Sequence, residues 1–303
     1  MVFRGCYTAI VTPFEGSGVR APVDWESFRE IIEFQDEGGV TGIVACGSTG
    51  ESATLSMDEH KQVIAFVSEN SSGTTIGGTG SNSTWEAVEM TRHAEDVGAS
   101  GSLQVCPYYN KPNQEGLYRH FSKVAEAVDI PIILYNVPSR TVQSIAPSTM
   151  ARLVSEHSNI VGVKEATGDR RVWSEIVELC PKGFEILSGN DDDTLELIHD
   201  FSATGVISVA SNILPRMLTD FVSLCLDGDF NQAEVLQRQL SPLVKALFID
   251  TNPIPIKHVM NLKGFRAGGY RLSLCETTDK KKKEIEEVFS GIRSLSLTSF
   301  EPG

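Results

Sequence analysis

Eight short apolar runs, at 6–12, 42–46, 74–78, 101–106, 131–135, 160–164, 184–188 and 205–209, alternate with amphipathic segments, and nothing else in the sequence limits the fold so tightly. The runs are short and aliphatic, as buried strands require. The segments at 24–37, 58–71, 84–97, 114–128, 148–157, 170–179 and 191–202 repeat their apolar positions at helical spacing. In the fourth of these, Leu117, Phe121, Val124, Ala125 and Val128 share one face. Asp24, Ser56 and Pro147 mark helix starts, and Gly38, Gly73 and Gly98 stand near helix ends. Strands that alternate with helices form a parallel sheet, and eight of them with no antiparallel signal close most simply into a (β/α)8 TIM barrel. An open doubly wound sheet would need a glycine-rich phosphate turn. The stretch Gly77–Asn82 matches neither phosphate-binding pattern and reads as a tight strand-to-helix turn.

After the eighth run the alternation stops. Residues 215–228, 231–248, 253–263 and 279–293 read as helices, the first of them closing the barrel. This predicts a barrel over 1–228 and a C-terminal helical region over 229–303, with Pro242 kinking or breaking the second of these helices. Lys280–Lys283 reads as a solvated helix face.

The formal net charge of −14 argues against nucleic acid or an anionic membrane surface as a partner. It leaves room for an anionic small molecule, because one pocket can be basic inside an acidic protein. No long apolar run suggests a signal peptide or a membrane span. The six cysteines form no C-x-x-C pair and read as reduced, mostly buried thiols of a cytoplasmic protein. No His/Cys/Glu cluster has metal-ligand spacing and no G-x-S-x-G elbow appears, so neither a catalytic metal, another cofactor nor serine hydrolysis is expected.

A TIM barrel carries its active site at the C-terminal ends of its strands, so the last residues of each run are the informative ones. The second run leads into Gly47-Ser48-Thr49-Gly50-Glu51-Ser52 and the fourth into Pro107-Tyr108-Tyr109-Asn110-Lys111-Pro112. The fifth ends in Tyr135 and continues through Arg140, the sixth ends in Lys164, and the seventh leads through Gly189 to Asp191. A lysine at the end of a buried strand loses solvation, so its pKa falls and its neutral amine can attack a carbonyl carbon to form a Schiff base. Such chemistry needs a proton shuttle, which a tyrosine hydroxyl supplies. Ser48 and Thr49 offer hydroxyls beside glycine-rich backbone, suited to a small carboxylate such as that of pyruvate. Arg140 can clamp a second carboxylate.

These segments, together with Val161-Gly162-Val163-Lys164-Glu165, resemble the signatures of the dihydrodipicolinate synthase / N-acetylneuraminate lyase superfamily over about residues 4–275. Pro107–Pro112, Asn136–Thr141 and Asn252–Lys257 narrow the resemblance to its dihydrodipicolinate synthase branch. The resemblance implies a condensation of pyruvate with L-aspartate 4-semialdehyde to 4-hydroxy-tetrahydrodipicolinate, on the route to diaminopimelate and lysine. Lys164 would then form the Schiff base, and Tyr135, Ser48 and Tyr109 would relay protons, Tyr109 reaching in from the neighbouring subunit of a homodimer or homotetramer. Thr49 would hold the pyruvate carboxylate and Arg140 that of the semialdehyde, with Gly189 and Ile207 lining the pyruvate pocket. The resemblance also implies an L-lysine effector site at Ser52, Ala53, His60, Asn82, Glu86 and Tyr108. Met57 stands where some lysine-sensitive relatives carry histidine.

A retro-aldol lyase acting on N-acetylneuraminate or a 2-keto-3-deoxy sugar acid would use the same lysine. Arg140 speaks for the condensation, since a sugar chain calls for more neutral hydrogen-bonding groups. A catalytically idle barrel that senses a keto acid is a further alternative. It would be free to lose a member of the set Lys164, Tyr135, Ser48 and Tyr109, yet all four are present.

Overall fold

The computed structural model describes the backbone of residues 3–299 and the side chains of residues 3–292. Its eight strands are β1 (Gly5–Ala9), β2 (Gly42–Ala45), β3 (Thr74–Gly78), β4 (Gly101–Val105), β5 (Ile132–Asn136), β6 (Ile160–Glu165), β7 (Glu185–Ser188) and β8 (Gly205–Ser208). All pair in parallel in sequence order, and β1 bonds both β2 and β8, which closes the barrel. Each run read as a strand is one.

The helices are α1 (Trp25–Glu37), α2 (Met57–Asn70), α3 (Thr84–Asp96), α4 (Gln114–Ala125), α5 (Pro138–Thr141), α6 (Pro147–Glu156), α7 (Arg170–Leu179), α8 (Thr194–Phe201), α9 (Pro215–Asp227), α10 (Phe230–Ala246), α11 (Ile254–Lys263) and α12 (Asp279–Ser299). Their starts have local causes. Asp24 accepts the Ser27 N–H at the head of α1, and Ser56 and Glu59 form a reciprocal capping box on α2. Pro147 opens α6, where a missing N–H costs nothing. The short α5 has no helical period to announce it, and the segment read as one helix over 191–202 is a 3₁₀ turn, Asp191–Asp193, followed by α8.

Pro242 does not break its helix: α10 runs through it. Pro242 and Arg238, whose carbonyl loses its N–H partner, both face solvent, so water can take the freed acceptor.

Two apolar layers follow from the strand alternation. Inside the barrel Tyr7, Val44, Leu103, Ile133, Tyr135, Leu187 and Ile207 pack together. Outward-facing residues such as Ile43, Leu134 and Val163 meet the helices in a larger core. Among the described residues, no helix is long and apolar enough to cross a membrane.

The C-terminal helices are tied to the barrel through charge as well as packing. Lys257 on α11 donates to Glu51 in the β2–α2 loop at 2.6 Å and to the Gly269 carbonyl at 2.8 Å. Arg271, nearly fully buried, donates to the carbonyls of Ala21 and Thr54 and forms a forked pair with Glu59. This pair holds the Glu59 carboxyl down at about 2.

Candidate active site

A cavity of about 680 Å³ opens at the C-terminal ends of the strands, and Lys164, Tyr135, Ser48, Thr49, Arg140 and Gly189 all line it. Lys164 comes from β6 with its side chain turned into the barrel. Its orientation depends on an irregularity: Ile132 pairs with Ile160, but Ile133 pairs with Gly162, so β6 carries one extra residue. Beyond that bulge Val163 faces the helices while Lys164, in register with Tyr135, faces inward.

The Lys164 amine lies 4.4 Å from the centre of the Tyr135 ring, and the residue as a whole is 6% exposed. Burial lowers its pKa to about 8, Asp191 pushes it back up, and Arg140 lowers it. A substantial fraction of the amine is therefore neutral near physiological pH. The second buried lysine, Lys257, is also brought down to about 8 by burial, against the pull of Glu51. Its ammonium is committed to Glu51 and to the Gly269 carbonyl, and it does not line the cavity.

Tyr135 is buried. Burial raises its phenol, while Arg140 and a hydrogen bond with Ser48 pull it back. Ser48 and Thr49 sit in a tight loop bounded by Cys46 (φ 56°) and Glu51 (φ 53°), two non-glycine residues in the left-handed region. Within it the N–H groups of Gly50, Glu51 and Ser52 turn back to the Gly47 and Ser48 carbonyls. Those of Ser48 and Thr49 take no acceptor among the described residues, which leaves two donors at the cavity for an anion. Thr49 Oγ1 accepts from Asn252 Nδ2 at 2.9 Å, and Arg140 Nη2 donates to the Asn252 carbonyl at 3.2 Å.

Supporting bonds hold these loops. Glu165, beside Lys164 but on the outer face, takes the amide of Asn136 at 3.0 Å and the N–H of Thr167 at 2.7 Å. Asn136 in turn accepts from Ser144 and Ile145, closing the loop that carries Arg140. A side chain at Gly189 would meet Ala166 Cβ at 2.7 Å, so glycine lets the end of β7 close against β6 beside the lysine.

Three sequence-derived residues lie off the cavity wall. Ile207 is packed inside the barrel, and Asn82 spends its amide on the Tyr108 carbonyl at 3.1 Å. Tyr109 is 91% exposed at φ 71° and does not line its own chain's cavity. Ser52, Ala53, His60, Glu86 and Tyr108 also line this cavity. His60 Nε2 donates to the Gly78 carbonyl at 2.7 Å. Burial first, and His93 in addition, lowers its pKa despite the Gly78 bond, which favours the neutral ring. Glu86 accepts from Ser81 at 2.7 Å.

Sequence reasoning passed over two residues. Asp191 was visible as the end of the seventh run, but its burial was not. Its Oδ2 accepts the N–H groups of Val209 and Ala210, and burial raises its pKa against the pull of Ser208, those N–H groups and Lys164. Asn252 was visible only as part of a motif, with no signal that it reaches Thr49. Among the described residues no three His, Cys, Asp or Glu side chains are placed to hold a metal.

The sequence profile of the Dihydrodipicolinate synthetase family matches residues 2–291. This chain belongs to that family. A 4-hydroxy-tetrahydrodipicolinate synthase from Methanothrix thermoacetophila is 46% identical over 296 residues, 97% of this chain and 99% of the relative. Two crystal structures of family members share the fold closely. The chloride-inhibited dihydrodipicolinate synthase of Acinetobacter baumannii, complexed with pyruvate, is 39% identical with a TM-score of 0.91 over 96% of this chain and 99% of that one. The dihydrodipicolinate synthase of Cyanidioschyzon merolae with lysine bound is 34% identical with a TM-score of 0.92 over 96% and 99%. The barrel, its C-terminal helices and the cavity at its mouth are thus those of a dihydrodipicolinate synthetase family enzyme.

Proposed function

We propose that this enzyme condenses pyruvate with L-aspartate 4-semialdehyde to 4-hydroxy-tetrahydrodipicolinate through a Schiff base on Lys164, as the first committed step toward diaminopimelate and lysine. One observation carries the reading: a buried amine with a pKa of about 8 stands in the cavity against Tyr135, free of any carboxylate hydrogen bond among the described residues. The neutral amine attacks the keto carbon, and the carbinolamine loses water to give the imine. Loss of a methyl proton gives the enamine, whose carbon adds to the aldehyde. The semialdehyde's amino group then displaces Lys164 and closes the ring. Tyr135 and Ser48 carry protons in these steps, Thr49 and the free N–H groups beside it hold the pyruvate carboxylate, and Arg140 holds that of the semialdehyde.

The names of the relatives and the cationic Arg140 at the mouth favour this condensation over retro-aldol cleavage of N-acetylneuraminate or a sugar acid. The exposed, left-handed Tyr109 supports a dimer or dimer of dimers in which the partner's cavity receives that ring. L-Lysine is the effector we assign to the cavity wall at His60, Glu86 and Tyr108: Glu86 offers a carboxylate to an ammonium, and the neutral His60 does not repel one. The lysine-bound relative lends this assignment support. Six unpaired cysteines fit a reducing cytoplasm.

The decisive experiment is borohydride reduction in the presence of pyruvate. One reduced pyruvyl group should appear on Lys164 by peptide mass, and Lys164→Ala should abolish it. Labelling at Lys257 or Lys111, or none, would overturn the mechanism.

A further inference from the structure

We infer that Asn252 turns the Thr49 hydroxyl proton toward the keto-acid carboxylate, which makes it a positioning residue of the pyruvate subsite. The inference rests on the reading above, in which Thr49 holds that carboxylate. Asn252 lies between α10 and α11, 203 residues from Thr49 in the chain, yet Nδ2 donates to Thr49 Oγ1 at 2.9 Å with both residues buried. Both line the cavity.

A threonine hydroxyl owns one proton and two lone pairs. With a lone pair engaged by the amide N–H, its proton is left to be donated, and a donor is what a carboxylate needs. The reverse arrangement, an acceptor at this position, would draw the Thr49 proton away and aim a lone pair at an anion. The amide makes no other hydrogen bond among the described residues, for Asn252 Oδ1 is buried without a donor. Leaving a buried amide oxygen unmet is costly, and an apolar side chain would build the same wall without that cost. The residue is therefore explained by its single donated bond and not by the packing around it.

Asn252 also meets the other carboxylate holder, but through its main chain: its carbonyl accepts from Arg140 Nη2 at 3.2 Å. A side-chain substitution removes the Thr49 contact and keeps the carbonyl that Arg140 uses. This separates the two substrates.

The test is a double-mutant cycle on Asn252→Ala and Thr49→Val, with Asn252→Asp alongside. It is read by the pyruvate concentration that half-saturates borohydride trapping and by KM for each substrate. Asn252→Ala should raise half-saturating pyruvate about tenfold, the effect of one lost hydrogen bond near a charge. It should leave the semialdehyde KM within about twofold and add nothing in the Thr49→Val background. Asn252→Asp keeps the shape but offers only acceptors, so it should weaken pyruvate further, and it carries the test if the alanine variant does not fold. Additive losses, an equal rise in both KM values, or normal pyruvate use by Asn252→Asp would each overturn the assignment. A parent enzyme that traps no pyruvate would remove the function proposed above, a result distinct from all of these.

Discussion

Lys257 Nζ lies 2.6 Å from Glu51 Oε1, and neither side chain reaches solvent. The pair joins α11 to the loop that presents Ser48 and Thr49, so the same contact that anchors the C-terminal helices also braces the cavity. Removing one member of a buried pair leaves a charge without compensation and typically costs about 3–5 kcal/mol. Glu51→Gln should lower the unfolding free energy measured by urea titration by that order and reduce activity with it. Adding Lys257→Met to Glu51→Gln removes the stranded charge and should recover part of the loss. A double variant as unstable as the sum of the two single ones would contradict this account.

Tyr135→Phe removes one hydroxyl from a well-packed ring, so the thermal midpoint should hardly move. Turnover should fall by about 100- to 10,000-fold, the usual contribution of a general acid–base group. An unchanged kcat with a raised KM would mean that Tyr135 only binds substrate.

Attack on pyruvate requires the neutral Lys164 amine. Below its pKa of about 8 the amine is protonated, so kcat/KM for pyruvate should climb with pH toward about 8 and level off above it. The Asp191 charge raises that pKa, hence Asp191→Asn should move the limb to lower pH. Asparagine can still accept the Val209 and Ala210 N–H groups, so the fold should be kept. A limb that stays in place, or moves to higher pH, would show that Asp191 does not set the lysine's protonation.

L-Lysine should inhibit partially at saturating pyruvate, acting away from Lys164. Glu86→Ala should relieve the inhibition by removing the carboxylate that pairs with an ammonium. Full activity in millimolar lysine, or equal inhibition of parent and variant, would reject the site at His60, Glu86 and Tyr108.

The barrel was legible because its signal is local. A short aliphatic run and a helical repeat each follow from a few neighbouring residues, and eight alternations leave little choice of closure. The strand-end rule alone singles out Lys164, Tyr135, Ser48, Thr49, Arg140 and Gly189, and all six line one cavity. Local pattern did not reveal which way Lys164 points. Val161 and Lys164 differ by an odd number of positions yet both face the barrel interior, because the extra residue in β6 resets the phase of the strand. Nor did it reveal the amide of Asn252 on Thr49, the Lys257–Glu51 pair, or the burial of the Asp191 carboxylate. Those contacts join residues that meet only after the chain has closed on itself. Their energies arise from the loss of water around them, and burial is a property of the packed molecule, not of any stretch of sequence.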